Sequence, residues 1–143
     1  ILDTGGSGGT DFVAIENRRR DHRVTALAEW GLSTAVSILE IKQLGLPVEI
    51  VATGGIRSAL DAARALALGA KIAGAAGHFL KIFMEQGEEA LVKEILGWQE
   101  DLKRICLLTG CATPAELAAK PLVITGKTKA WLEGIWRRQQ DPP

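Results

Sequence analysis

The chain has 143 residues, of which 47% are hydrophobic, and its 17 basic and 17 acidic residues give a formal charge of zero. This length suits one domain with a hydrophobic core, but a whole (β/α)8 barrel needs about 250 residues. The balanced charge excludes a global field that recruits nucleic acid or an anionic membrane, so any anion site must be local.

The sequence contains no apolar run long enough to span a bilayer and no visible signal peptide. We therefore expect a cytoplasmic protein with neither a membrane nor a nucleic acid as partner. Cys106 and Cys111 form no recognisable metal site, and their spacing across a predicted helix end is a poor disulfide signal. We interpret both as reduced thiols and assign no metal ligand in this chain.

The chain begins with a short apolar segment at residues 1–3, which predicts the end of a buried strand. Because this segment starts at Ile1 rather than at a methionine, it indicates a longer parent polypeptide. The loop that follows, residues 4–10, is rich in glycine and therefore costs much backbone entropy to order. Ligand binding would help to offset that cost, whereas a disordered terminus is the alternative interpretation.

Residues 12–23 form a charged segment in which Glu16 precedes three arginines at 18–20. Arginine clusters can bind phosphate through paired hydrogen bonds, but a charged run is more often a solvated helix face or a subunit contact. After this segment, Ser33 or Thr34 can cap the next predicted helix. The apolar positions of that helix are Ala35, Ile38, Leu39 and Ile41.

The central stretch, residues 47–81, reads as strand, glycine turn, helix, strand, glycine turn and helix, which is typical of a parallel βαβ unit. The predicted strands are residues 48–53 and 71–76, and their apolar composition indicates that helices cover both faces of the sheet. Each strand runs into a glycine turn at its carboxyl end. The glycines of these turns are Gly54, Gly55, Gly74 and Gly77.

Two glycine turns at the carboxyl ends of successive strands indicate a phosphate site. Glycines let the backbone approach a ligand closely, and the exposed amides donate hydrogen bonds to oxyanions. The helix after the first turn has a well-marked start, since Ser58 and Asp61 match a capping box. Each cap or dipole contact is worth only about 1 kcal/mol, so amides of both turns must hold a dianion together. The alternative is that the glycines only make tight turns.

Helical patterns dominate the next part of the chain. Residues 78–84 predict a short helix, Gly87 interrupts it, and a longer amphipathic helix follows. His78 lies where the amino terminus of the short helix faces the predicted phosphate, so a hydrogen bond to the phosphate is favoured over a catalytic role. The apolar stripe of the longer helix consists of Leu91, Ile95, Trp98, Leu102 and Ile105.

Residues 112–143 read as a helical appendix to the βα units of residues 1–111, and we predict that both parts form one domain. The appendix contains a capped helix start at 113–116, an extended piece at 122–124 and an amphipathic helix at 128–138 that bears Trp131, Ile135 and Trp136.

Several short motifs follow one another along the chain. They are Asp-Thr-Gly-Gly-Ser-Gly-Gly-Thr-Asp-Phe at 3–12, Ile-Glu-Asn-Arg-Arg-Arg at 15–20, Trp-Gly-Leu-Ser-Thr at 30–34, Thr-Gly-Gly-Ile at 53–56, Ala-Leu-Asp at 59–61, Ala-Ala-Gly-His-Phe-Leu-Lys at 75–81, Pro-Leu-Val-Ile at 121–124, and Trp131. Together they resemble the carboxyl-terminal half of the type 2 isopentenyl diphosphate isomerase family. The resemblance covers nearly all of the chain.

The resemblance implies an FMN-dependent (β/α)8 barrel that interconverts isopentenyl and dimethylallyl diphosphate with reduced flavin as acid and base, and that requires NADPH and Mg²⁺. This chain would be an α/β fragment, the carboxyl-terminal part of a TIM barrel with about three βα units. It would need the missing amino-terminal half of the barrel for activity, and the whole enzyme would be a homo-oligomer.

The resemblance also assigns roles to single residues. Thr10 would contact FMN, and Phe12 would stand in a position that the family fills with an aromatic group near the flavin or substrate. Glu16 matches an acidic residue near the active site and is the candidate for a proton relay. The family's Mg²⁺ ligand and most diphosphate-binding residues would lie upstream of this chain. The phosphate of FMN would be held by Gly54, Gly55, Ile56, Ala76 and Gly77.

Two other interpretations stay open. Another FMN-dependent oxidoreductase barrel would share the Gly-Gly phosphate loop, but the His-x-x-Gly-Gly-Arg stretch of hydroxy-acid oxidases and a catalytic cysteine loop are missing from this sequence. A non-catalytic phosphate-binding half-barrel could instead dimerise through its open sheet edges, which are liable to pair.

Overall fold

The computed structural model describes residues 1–20, 25–27 and 30–140, with side chains up to residue 134. The described chain is an α/β structure, as predicted. Its parallel sheet has the strand order β1-β2-β3, formed by β1 (Leu2–Asp3), β2 (Ile50–Ala52) and β3 (Ile72–Ala73). The α-helices are α1 (Phe12–Arg19), α2 (Thr34–Gln43), α3 (Ala59–Leu68), α4 (Ala76–Gln86), α5 (Glu88–Thr109) and α6 (Gly126–Gln140), and 3-10 helices span Thr25–Leu27 and Pro114–Ala119.

The predicted start of α3 is confirmed in detail. The Ser58 hydroxyl oxygen accepts a hydrogen bond from the Asp61 amide at 3.1 Å, and the Asp61 carboxylate accepts from the Ser58 hydroxyl at 2.8 Å. The same carboxylate accepts from the Arg57 amide at 3.3 Å. These bonds satisfy amides that an uncapped first turn leaves without partners, and they fix the direction in which α3 leaves the first glycine turn.

The core lies on both sides of α3, because this helix buries alanines on two faces. Small side chains let the helix backbone approach its neighbours closely. One face packs with α2 and β2 in a cluster of Ile38, Ile50, Ala52, Ile56, Ala62, Ala65, Ala70 and Ala75. The other face packs with the end of α5 and the second 3-10 helix in a cluster of Ala63, Ala67, Cys106, Cys111 and Leu117. Both cysteines are free thiols, as predicted.

The appendix predicted from residue 112 onward docks on the preceding helices. Trp131 Nε1 donates a hydrogen bond to Glu40 Oε1 at 2.7 Å, which connects α6 to α2. Near Thr113 the capping works differently from the prediction: the Thr113 side chain accepts no cap bond, while Glu116 accepts from the Ala112 amide at 3.0 Å. The expected extended piece at 122–124 belongs to no strand.

Several predicted boundaries and burial patterns are wrong. The strand expected at 71–76 is only two residues long, and Ala76 already begins α4. The strand at the start of the chain exists, but Leu2 is 41% exposed, since neither residue of β1 packs into a core cluster. In α2, Ile38 is fully buried as predicted, whereas Val36 rather than Ala35 is the second buried position.

The amphipathic pattern of α5 is confirmed from Trp98 to Ile105, because Trp98, Leu102 and Ile105 pack against the core clusters. Ile95, by contrast, is exposed. Residues 21–23, the end of the predicted charged segment, and residues 142–143, the end of the predicted appendix, lie outside the described residues. Among the described helices, none is both long enough and apolar enough to cross a membrane.

Candidate functional site

Three glycine-containing loops meet at one edge of the sheet. All strand pairs are parallel, so the loops that follow β1, β2 and β3 share the carboxyl-terminal edge. The second and third loops are in contact, since a Cβ atom on Gly74 would lie 3.0 Å from the methyl group of Thr53. The two predicted glycine turns therefore lie side by side, at the edge where open α/β sheets bind ligands.

The first glycine loop packs by backbone contact on the turn after β2. Gly54 and Gly55 have positive φ angles of 97° and 76°. A Cβ atom on Gly54 would come 2.2 Å from the carbonyl oxygen of Gly6, and one on Gly55 would come 3.0 Å from the Cα of Gly8. Both the conformation and the close approach require glycine at these positions. The loop at 4–10 is thus an ordered part of the edge.

A group of threonines fixes the turn at Gly54. Thr4 and Thr53 bond reciprocally, because the Thr4 hydroxyl donates to the Thr53 carbonyl at 3.0 Å and accepts from the Thr53 amide at 3.1 Å. The Thr34 hydroxyl, at the start of α2, lies 2.9 Å from the same carbonyl. The Thr53 hydroxyl donates to Asp3, which also accepts from the Gly5 amide at 3.0 Å. These contacts connect β1, β2 and α2 around the turn.

The edge presents backbone amides that lack acceptors. Within the described part of the chain, the amides of Gly54, Gly55 and Ile56 have no hydrogen-bond acceptor, and neither do those of Ala76 and Gly77. The first turn of α4 has no side-chain cap, since its N-cap residue is Ala75. Such amides, together with the positive end of the α4 dipole, favour a bound anion. The residues assigned to FMN phosphate by resemblance thus fit a phosphate chemically.

A cleft of about 280 Å³ opens beside the first of these turns. Its lining brings together Gly54, Gly55 and Ile56 with residues of α2 and α3, including the cation of Arg64. Ala76 and Gly77 do not line this cleft. The predicted phosphate residues therefore share one edge of the sheet, but the two groups of amides do not line one common cavity.

The remaining predicted site residues are exposed. Thr10 lies at the end of the first glycine loop, directly before Asp11, whose side chain accepts a hydrogen bond from the Ala14 amide at 2.8 Å and caps α1. Glu16 lies on α1, where its carboxylate forms an exposed ion pair with Arg19 at 3.4 Å. A role of Glu16 in catalysis stays a prediction.

His78 lies in the first turn of α4, as predicted, but its ring is bound to α5. Its Nε2 lies 2.8 Å from Glu94 Oε1, and its ring stacks on Trp98 with the centroids 5.2 Å apart. Trp98 Nε1 donates to the same Glu94 oxygen at 2.9 Å. The hydrogen bonds from His78 and then from Trp98 lower the pKa of Glu94 below its ordinary value of 4.5. We call these three residues the α4–α5 cluster.

Sequence reasoning missed the contribution of Glu94. The sequence places it four residues before Trp98, a spacing that puts both side chains on one helix face. That spacing is compatible with many exposed pairs, so it could not identify His78 as the third partner. Only the packing of α4 on α5 brings the imidazole to this carboxylate.

Parallel strands, glycine turns with positive φ angles and amides without acceptors define an α/β protein whose carboxyl-terminal sheet edge suits an anion chemically. A comparison with protein-family models identifies the family. The model of FMN-dependent dehydrogenases matches residues 18–124, and the chain belongs to this family.

Curated relatives are consistent with this assignment. An isopentenyl-diphosphate delta-isomerase of Moorella thermoacetica is 80% identical over 137 residues, which cover 96% of this chain and 40% of that protein. Proteins of the same name from Bacillus licheniformis and Nocardia farcinica are 49% identical over 132 residues and 44% identical over 138 residues. These matches cover 92% and 94% of this chain, and 38% of each relative. The chain thus spans about two fifths of the length of these relatives.

Proposed function

We propose that this chain is the FMN-phosphate-binding part of an isomerase that interconverts isopentenyl and dimethylallyl diphosphate. The observation that carries the proposal is the 80% identity to a protein of that name over nearly the whole chain. Unpaired amides at the carboxyl edge of a parallel sheet support it independently, because they suit a phosphate group. Relatives named isomerases favour this function over an oxidoreductase of the same family.

In this proposal the three strands are part of a (β/α)8 barrel, and the helical appendix from residue 112 belongs to the same domain. The FMN phosphate would accept hydrogen bonds from the amides of both glycine turns, and Thr10 would contact FMN. Glu16 would serve in proton transfer. When bound, FMN would supply the acid and base chemistry at the flavin ring. The phosphate ligands would be the amides of Gly54, Gly55, Ile56, Ala76 and Gly77.

The whole enzyme would contain more than this chain. The residues that the relatives have outside the matched segment would complete the barrel and bind the diphosphate substrate. NADPH and Mg²⁺ would be required, with the Mg²⁺ ligand outside this chain, and the enzyme would assemble as a homo-oligomer. Without the complementary part of the barrel, this chain would not catalyse the reaction.

A chimera tests the proposed function. In it, this chain replaces the matched segment of the Moorella thermoacetica relative, which is about two fifths of that protein. We expect the purified chimera to bind FMN and to convert isopentenyl diphosphate to dimethylallyl diphosphate when NADPH and Mg²⁺ are added, as followed by NMR. The relative with its own segment is the positive control, and the same protein with the segment deleted is the negative control.

The two parts of the proposal give separate results in this experiment. A yellow chimera that binds FMN without isomerising the substrate would contradict the isomerase and favour an oxidoreductase. A folded, colourless chimera that gains no flavin absorbance with added FMN would contradict the phosphate site itself.

A further inference from the structure

The first turn of α4 packs on the core through Ala75 and Phe79, but it has no side-chain cap to orient its amides. Its N-cap residue, Ala75, provides no side-chain hydrogen bond, and no residue of α4 is fully buried. The preceding strand β3 is only two residues long. The turn at Gly54, by contrast, is fixed by hydrogen bonds of the surrounding threonines. The two groups of amides at the edge are therefore held by different parts of the structure.

Helix α5 supplies the contacts that α4 lacks locally. The Glu94 carboxylate accepts hydrogen bonds from Trp98 on its own helix and from His78 on α4. Because an ionised carboxylate can only accept, the His78 Nε2 atom must carry the proton of this bond. Trp98 also contacts Phe79, with the ring centroids 4.8 Å apart. The α4–α5 cluster thus attaches the first turn of α4 to the middle of α5.

We propose that Glu94 is a positioning residue for the phosphate group, acting through His78 on the amides of Ala76 and Gly77. This inference rests on the proposed function, since it concerns the same phosphate. His78 directly follows Gly77 in the chain, so its ring orientation and the direction of these amides are set together. Hydrogen bonds weaken steeply when they are misaligned, so a small rotation of α4 is enough to lower the affinity for a phosphate.

A positioning role of Glu94 at α4 should affect binding of the phosphate but not of the rest of the flavin. The turn at Gly54 is held by hydrogen bonds among Thr4, Thr34 and Thr53, which involve no α5 residue, so its amides should keep their geometry when Glu94 is changed. Riboflavin is FMN without its phosphate and cannot use the amides of α4. Loss of the Glu94 contacts should therefore weaken FMN binding while leaving riboflavin binding unchanged.

The test compares both flavins in the chimera described above. Dissociation constants for FMN and riboflavin are measured by flavin fluorescence for the chimera and for its Glu94→Ala variant, which removes the acceptor oxygen that a glutamine would keep. Glu100→Ala is the matched control, because Glu100 is on the same helix and binds Lys103 at 2.6 Å on an exposed face. Far-UV circular dichroism verifies folding. If Glu94→Ala does not fold, His78→Phe replaces it and should give the same result, since this variant keeps a ring but removes the Nε2 donor to Glu94.

We expect Glu94→Ala to weaken FMN binding by about tenfold, the effect of losing one favourable contact, with riboflavin affinity within about twofold of the parent. Glu100→Ala should change neither affinity. Equal weakening of both flavins, or an unchanged FMN preference, would overturn the role of Glu94 and leave the proposed function intact. A parent chimera that does not prefer FMN to riboflavin would overturn both.

Discussion

Glycine is required at position 54, at the carboxyl-terminal edge of the sheet, for two separate reasons. Its φ angle of 97° lies in the left-handed region that favours glycine, and its backbone touches that of Gly6. Gly45 has a similar φ angle of 63°, but a Cβ atom there would meet no atom within 4 Å. A comparison of these two positions separates backbone strain from overpacking.

We predict that Gly45→Ala lowers the free energy of unfolding by about 1–2 kcal/mol, the cost of a left-handed backbone. Gly54→Ala should lower it by about 1–3 kcal/mol more, the usual cost of overpacking. Urea denaturation of both variants provides the measurement. Equal losses in the two variants would contradict the backbone contact between the glycine loops.

Gly77 differs from Gly54 because its surroundings are open. A Cβ atom at Gly77 would meet nothing within 4 Å, and its φ angle is not positive. A side chain there should be tolerated by the fold, while a carboxylate would repel a phosphate at the first turn of α4. Gly97, on α5, is equally open and serves as the control.

In the chimera, Gly77→Glu should weaken FMN binding by at least about tenfold, whereas Gly97→Glu should leave it unchanged. Both variants should keep their helical circular dichroism. Retention of full FMN affinity in Gly77→Glu would be inconsistent with a phosphate bound at α4.

For single residues, the sequence predicted glycine positions better than side-chain partners. Gly54 and Gly55 could be assigned to a turn because residues other than glycine rarely adopt the positive φ angles that such a turn requires. The sequence could not identify Thr4, Thr34 and Asp3 as partners of Thr53, since these residues are up to 50 positions apart. Such contacts depend on strand register, which short strands specify weakly.

Among the elements, α3 occupies the centre because both of its faces are buried. The buried cluster that contains Ala63 and Ala67 connects α3 to the 3-10 helix Pro114–Ala119 through Leu117, which is only 3% exposed. This contact is what anchors the start of the appendix to the preceding helices. Leu107, by comparison, is 79% exposed near the end of α5.

Leu117→Ala should lower the free energy of unfolding by about 2–5 kcal/mol, because it leaves a cavity in a buried cluster. Leu107→Ala should change the free energy of unfolding by less than about 0.5 kcal/mol, as expected for a surface position. Urea denaturation followed by circular dichroism measures both. Similar effects of the two substitutions would refute the docking of the 3-10 helix on α3.

The contact between α4 and α5 depends on pH through Glu94. Hydrogen bonds from His78 and then Trp98 hold the pKa of this carboxyl below 4.5 in the folded chain. The unfolded chain has the ordinary value, so the carboxylate contributes stability above pH 4.5, and this contribution disappears as the pH falls through the folded pKa.

The chain should therefore be more stable than its Glu94→Gln variant at about pH 6, and the difference should shrink at about pH 3. Thermal unfolding of both proteins at the two pH values measures this difference. A stability difference that stays constant, or grows as the pH falls, would contradict a stabilising role of these hydrogen bonds.

For the whole molecule, the sequence predicted the order of the βα units because strands, glycine turns and helix caps recur in one pattern. Strand lengths and burial were harder to predict. Ala75 and Ala76 suit both a strand and a helix, so local composition could not place the start of α4. The burial of β1 depends on neighbours distant in the chain, which no local pattern indicates.

We propose that amides from two neighbouring glycine turns hold one phosphate group. A crystal structure of the chimera with FMN would show which amides contact the phosphate. We predict phosphate oxygens at about 2.7–3.2 Å from amide nitrogens of both turns, Gly54 to Ile56 and Ala76 to Gly77. A phosphate bound elsewhere, or contacted by only one turn, would contradict a shared phosphate site.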